Sequence, residues 1–197
     1  MRTLVDEGVE GFTTPLVATS AGVAQGSVFR YFPTKAALLA ATVEAALAAA
    51  ARDGAESLAE RLESGPYPRQ PSLVRMVIEE LWSVYTDERS LAAFEVRARC
   101  RTNPALLAVL QPKLEALDAG GGDLMALVLP QSLMLPRDDY GALAKMITSA
   151  LQGRAVSRLS LPDPDTDSAV IEALVEAVED RFARVLSRLD ADDHIHD

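Results

Sequence analysis

Apolar residues along this chain recur at intervals of three and four and nowhere sustain an alternation of two. Such spacing lines one stripe of a helix, whereas a half-buried strand needs every second residue, so the chain reads as all-α. Alanine and leucine, which lose little freedom on entering a helix, dominate the composition, and β-branched runs are short.

Helix punctuation divides the chain. Thr14 before Pro15 predicts a start, a hydroxyl cap ahead of a proline whose missing N–H costs nothing at the first helical position. A break is predicted at Ala21-Gly22-Val23, then a helix from about Ala24 to Phe32, stopped by Pro33. Thr34 caps a long helix from Lys35 through Leu38, Leu39, Val43 and Leu47 toward Leu62, ended by Ser64-Gly65-Pro66. Pro66, Pro68 and Pro71 predict a loop, followed by helices at about 72 to 87 and 90 to 102. Asn103-Pro104 repeats the start signal. Gly120, Gly121 and Gly122 together cost roughly 3 kcal/mol against alanine in a helix, which predicts a kink or loop there. A helix at about 138 to 159 follows, then a turn at Leu161-Pro162-Asp163-Pro164 and a last helix from about Asp167. On it Ile171, Val175, Val178, Phe182, Val185 and Leu189 form a seam of heptad period. Such a seam is met by the preceding helix, by a symmetry mate, or by both; an ordinary amphipathic helix packed inside one subunit fits the same spacing.

The formal charge of -10 argues against a general nucleic-acid binder, since the phosphate lattice repels an acidic surface. Its distribution narrows that conclusion. Residues 1 to 52 hold four basic residues (Arg2, Arg30, Lys35, Arg52) and four acidic ones (Asp6, Glu7, Glu10, Glu44), so the excess lies beyond them. Between Glu10 and Glu44 there is no acidic residue and there are two basic ones, a surface that can meet an anion without repulsion.

Enzymatic readings find little support. Cys100 is the one cysteine, and the two histidines, His194 and His196, lie in the last four residues, which leaves no disulfide scaffold, no cysteine zinc cluster and no cysteine–histidine nucleophile. Adjacent carboxylates at Glu79-Glu80 and Asp138-Asp139 diverge by about 100° on a helix and do not face one metal together. The tail histidines read as part of a frayed acidic end. No metal, cofactor or catalytic group is expected. Without an apolar run of about 18 residues, and with Asp6 and Glu7 where a signal peptide would be apolar, a cytoplasmic protein with no membrane partner is expected.

Two short helices around a glycine turn need a small residue where they pack, a residue free to turn left-handed, and a β-branched anchor; Ala18, Gly22 and Val28 stand at that spacing. The stretch around them, TPLVATSAGVAQGSVFRYFPTKAALL from Thr14 to Leu39, closely resembles the DNA-binding head of the tetracycline-repressor (TetR) family. The likeness runs through Thr14, Ala18, Ala21-Gly22-Val23, Gly26, Phe29, Tyr31-Phe32, Lys35 and Leu38, about 30 residues in all. It implies a three-helix head at residues 1–45 and a helical ligand-binding and dimerisation domain at 46–197.

Carried over by position, the resemblance puts Gln25, Gly26, Ser27 and Arg30 at the DNA groove. The chemistry agrees, since Gln pairs with adenine and Arg with guanine, Ser serves either, and Gly admits a close backbone. Thr14, Tyr31, Thr34 and Lys35 would hold phosphates; Phe32 reads as core. Phe29 stands where many relatives carry tyrosine, so a phosphate-bonding hydroxyl is absent and the side chain is read as packing. Family members usually have ten or more further residues, often basic, ahead of the segment matching Leu4 to Gly8, so either the start here is natural or the chain is truncated.

The resemblance also implies a homodimer through the last two helices, double-stranded operator DNA as partner, and release of the DNA by a small molecule held among the middle helices. For that effector Trp82, Tyr85, Phe94, Arg97 and Met125 are the candidates, Trp82 and Tyr85 foremost as neighbouring amphipathic aromatics. The alternating Arg97, Arg99 and Arg101 read first as a solvated face and second as partners of an anionic ligand or of Glu79 or Glu80. The regulator reading, most often a repressor, stands beside an alternative: an all-helical small-molecule-binding or scaffold protein that has lost specific DNA binding.

Overall fold

A computed structural model describes residues 1–64, 70–128 and 137–193, and the described residues are helices and their connections without a strand. In chain order the helices are α1 (Arg2–Gly11), α2 (Thr14–Ala21), α3 (Gln25–Tyr31), α4 (Lys35–Glu63), α5 (Gln70–Thr86), α6 (Glu88–Arg99), α7 (Pro104–Val128), α8 (Arg137–Ser157) and α9 (Pro164–Asp193). The proline loop at Pro66 and Pro68 and the tail histidines lie outside the described residues, as do the side chains of Pro71, Asp138, Asp139, Met125, Val185 and Leu189.

The caps carry most of the punctuation. Thr34 Oγ1 accepts the Ala37 amide at 3.0 Å and Asn103 Oδ1 accepts the Leu106 amide at 3.0 Å, so α4 and α7 begin where a side-chain oxygen takes an orphan N–H. α6 starts on Asp87, whose carboxylate accepts from the Arg89 amide. Three expectations are corrected. α2 starts one residue early, with extended Thr13 in the cap position and without a side-chain cap bond, so Pro15 stands second in the helix. α9 begins at Pro164, because Asp163 Oδ1 accepts the amides of Asp165 and Thr166 and turns the expected loop into a cap. α7 runs on through Gly120, Gly121 and Gly122, and Pro112 lies within it as well. A glycine penalty of about 1 kcal/mol each is small enough for neighbouring helix to override.

Two packing units emerge. The first comprises Met1–Asp53 with Thr86–Ala119; the second comprises Gly54–Tyr85 with Gly120–Asp197. In the first, Leu4, Phe12, Ala18, Val28, Leu39, Val43, Val96, Leu106 and Leu110 form one buried cluster, so α1 to α3 close over α4, α6 and α7. Arg89 ties α6 to α4, meeting Asp53 at 2.7 Å while its fork grips Asp87 through two bonds of 2.8 Å. That fork holds the Asp87 carboxyl below the ordinary carboxylate value.

The second unit is built on Leu58, Val74, Val77, Ile78, Ile147, Leu151, Leu174, Val175, Val178 and Phe182. Gly54 lets α4 approach α5 closely: a Cβ there would collide with Val84 Cγ2. Arg154 closes the α8–α9 turn, donating to Asp167 Oδ1 at 2.6 Å and to the Asp163 carbonyl at 2.9 Å. No single helix among the described residues is long and apolar enough to cross a membrane.

Candidate nucleic-acid interface

The head is assembled around one glycine. Gly22 takes a left-handed conformation (φ 67°, ψ 27°), with its amide on the Thr19 carbonyl at 3.1 Å and the Val23 amide on the Ala18 carbonyl at 3.0 Å. This is the Schellman arrangement, which satisfies two terminal carbonyls and turns the chain sharply into α3. Ala18 and Val28, 3% and 6% exposed, pack the two helices together, so the small residue and the β-branched anchor both point inward.

The remaining face of α3 points outward. Gln25, Gly26, Ser27 and Arg30 are all exposed. Among the described residues no hydrogen bond or ion pair engages the side chains of Gln25, Ser27, Arg30 or Tyr31. Gly26 has open space where a Cβ would lie and no positive φ, so neither packing nor backbone demands glycine there; close approach of a ligand remains as a reason for it. Tyr31 is 75% exposed, whereas Phe32 packs half-buried against the core, as read from the sequence. Phe29 is a correction: it is 47% exposed rather than packed.

Beyond a bend of 81°, α4 begins at Lys35. Thr34 is exposed and its oxygen is already engaged as a cap, leaving its O–H to donate outward. The exposed Lys35 sends one N–H to the Val9 carbonyl at 3.4 Å, and its ammonium carries two more. Thr14 is half-buried in the first turn of α2, with the exposed Thr13 before it. Thr13 was missed from sequence, although the doubled threonine before Pro15 carries the signal. The exposed polar side chains of α3 and of the α4 start thus belong to one packing unit and to a stretch of sequence without acidic residues.

The candidates for an effector divide. Trp82 and Tyr85 sit half-buried at the margin of the second unit's core, with the Arg158 guanidinium 5.5 Å from the Trp82 ring. Phe94 is 9% exposed and belongs to the first unit, with Arg97 over its ring at 5.7 Å. Arg99 pairs with Glu10 at 2.7 Å, and Glu79 and Glu80 meet Arg61 at 3.1 and 3.5 Å, so the acidic neighbours proposed for the arginine row are held elsewhere. Of the α9 seam, Val175, Val178 and Phe182 are buried on the second unit's own core, and Ile171 packs against it. Ile147 and Leu151 of the preceding helix, α8, belong to the same cluster, so the preceding helix is one of the partners that meet these four residues.

A helix pair about a Schellman glycine, packed through Ala18 and Val28 and presenting an exposed face on its second helix, defines a helix-turn-helix. Residues 1–42 match the profile of the bacterial regulatory proteins, tetR family. An HTH-type transcriptional regulator of Mycobacterium tuberculosis is 24% identical over 172 residues, covering 87% of this chain and 85% of that protein. The HTH-type transcriptional regulator CymR of Pseudomonas putida is 25% identical over 183 residues, covering 92% and 86%. A solved TetR-family regulator from Rhodococcus sp. shares the fold with a TM-score of 0.65 at 19% identity over 90% of both chains. Residues 1–42 thus match a tetR-type helix-turn-helix head, and over most of its length the chain is similar to HTH-type transcriptional regulators.

Proposed function

We propose that this regulator is a homodimeric repressor that binds a near-palindromic operator and leaves it when a small molecule binds. Residues 1–45 act as the DNA-binding head and 46–197 as the ligand-binding and dimerisation body. The observation that carries this reading is the exposed face of α3, where Gln25, Gly26, Ser27 and Arg30 stand unengaged in a stretch without acidic residues. In the major groove Arg30 would read guanine and Gln25 adenine, while Thr14, Tyr31, Thr34 and Lys35 would hold phosphates and set the register. Two such helices about one DNA turn apart require a two-fold dimer.

Because Val175, Val178 and Phe182 are buried on the second unit's own core, the dimer is assigned to the outward face of α8 and the turn after it. Met146, Val156, Leu159 and Leu161 are 44, 46, 64 and 70% exposed there. Gly153, between Met146 and Val156, has open space beside it, room for a second helix to approach. The effector is assigned to the margin of the second unit's core, where Trp82 and Tyr85 each carry a polar tip on an apolar body.

The test is binding of the full chain to DNA flanking its own gene, at two salt concentrations with random DNA as competitor. Specific, salt-sensitive binding is expected, weakened by about 10- to 100-fold in Arg30→Ala through loss of one bidentate base contact. Gly153→Arg should leave helicity unchanged and produce monomers in sedimentation. Absence of specific binding by the wild type would favour the ligand-carrier or scaffold alternative instead.

A further inference from the structure

α1 breaks at Gly8, whose φ of 62° and ψ of -172° belong to a region that side-chain-bearing residues avoid. The break turns the Val9 peptide out of the helix, and both of its polar groups are taken up by other elements. On one side the Val9 amide donates to Glu95 Oε1 of α6 at 3.4 Å. The Glu95 carboxylate lies directly against the break, 3.5 and 3.8 Å from where a Cβ on Gly8 would stand. One turn further along α6, Arg99 meets Glu10 at 2.7 Å and Glu95 at 3.9 Å, so two residues of α6 grip the same turn of α1. On the other side the Val9 carbonyl accepts from Lys35 Nζ at 3.4 Å. Val9 itself is 8% exposed, so its peptide gains by being paired within the protein.

We propose that Glu95 is a positioning residue for DNA binding: by holding the Val9 peptide in the broken turn of α1, it fixes the carbonyl that aims the Lys35 ammonium at a DNA phosphate. The proposal rests on the assignment of Lys35 to a phosphate made above. The chemistry is directional. A carboxylate at the start of the turn from Val9 to Phe12 suits the free amides there, and a carbonyl on the far side of the same peptide suits a cation. One of the three ammonium donors is spent on Val9 and two remain for the phosphate. Without Glu95 the Val9 peptide is free to rotate back toward helix, and Lys35 loses the carbonyl that orients it.

Glu95→Ala, Glu95→Gln, Lys35→Ala and the Glu95→Ala/Lys35→Ala pair test this in the full chain. Affinity and its salt dependence are read by anisotropy on a labelled duplex of the gene's flanking DNA and on a random-sequence duplex, and exchange of the Val9 amide by NMR. One lost phosphate contact at 0.1 M salt corresponds to about an eightfold weaker affinity and a log–log salt slope shallower by about 1. Glu95→Ala and Lys35→Ala should each show that loss on both duplexes, and the pair should lose no more than either alone. Glu95→Gln, which keeps a carbonyl acceptor for Val9, should stay within about twofold of the wild type with the Val9 amide still protected. A residue that merely stabilised the head would leave the slope unchanged. An unchanged slope in Glu95→Ala, or additive losses in the pair, would overturn the proposal while leaving the regulator reading intact. If Glu95→Ala does not fold, loss of Val9 protection without loss of DNA affinity in Glu95→Gln overturns it equally. If wild type and Lys35→Ala both fail to bind either duplex in a salt-dependent way, the regulator reading falls and the proposal falls with it.

Discussion

Replacing Arg154 by alanine should cost about 3 kcal/mol of stability, and the figure follows from what the side chain touches. Its guanidinium gives Nε to Asp167 Oδ1 at 2.6 Å, Nη2 to the Asp163 carbonyl at 2.9 Å and Nη1 to the Leu161 carbonyl at 3.4 Å. The two charged side chains are only 11 and 12% exposed, so truncation leaves a mostly buried carboxylate whose remaining ion-pair partner is Arg158 at 3.8 Å. Removing one member of a wholly buried pair costs about 3–5 kcal/mol, whereas an exposed pair contributes about 0–1 kcal/mol. The long contact with Arg158 and the residual exposure place this pair at the lower edge of the buried range. For a chain of 197 residues the unfolding entropy is about 0.4 kcal/mol/K, so the loss appears as a fall in Tm of about 7 °C. Urea unfolding followed by fluorescence of Trp82, the one tryptophan and a member of the same packing unit, measures it directly. Arg154→Lys keeps the charge but not the three-way fork, and should recover less than half of the loss. A loss below about 1 kcal/mol in Arg154→Ala would refute the argument, because the pair would then behave as an exposed one.

Three further outcomes are expected. Gly22→Ala should cost about 1–2 kcal/mol in thermal unfolding although a Cβ there meets open space, because the penalty is in the left-handed backbone; Gly22→Asn should cost less. Gly54→Ala should cost about 1–3 kcal/mol, as Val84 has to move, and Val84→Ala in the same background should relieve part of it in a double-mutant cycle. Asp87 is held below its ordinary value first by the Arg89 hydrogen bonds, so its contribution is present above the unfolded pKa of about 3.9 and is lost as pH falls through the folded value. Unfolding free energies between pH 6 and pH 3 should fall more steeply in the wild type than in Asp87→Asn, which has no carboxylate left to protonate.

The sequence by itself determined the helical class, the order of the helices and the glycine-centred head, because each depends on interactions within a few residues. Thr34 and Asn103 cap the helices they precede, Pro33 stops the recognition helix, and Gly22 supplies the one left-handed residue of the turn. The tertiary structure decided what short-range signals leave open. Heptad spacing marks Val175, Val178 and Phe182 as one stripe but carries no label for what covers it, and burial on Ile147 and Leu151 of the same chain is a long-range choice. Gly120 to Gly122 are weak helix formers, yet α7 continues across them because propensity is a small local term. The placing of Glu95 beside Gly8 joins residues far apart in the chain, and no periodicity records that an amide exposed by a break in one helix will be met by a carboxylate from another.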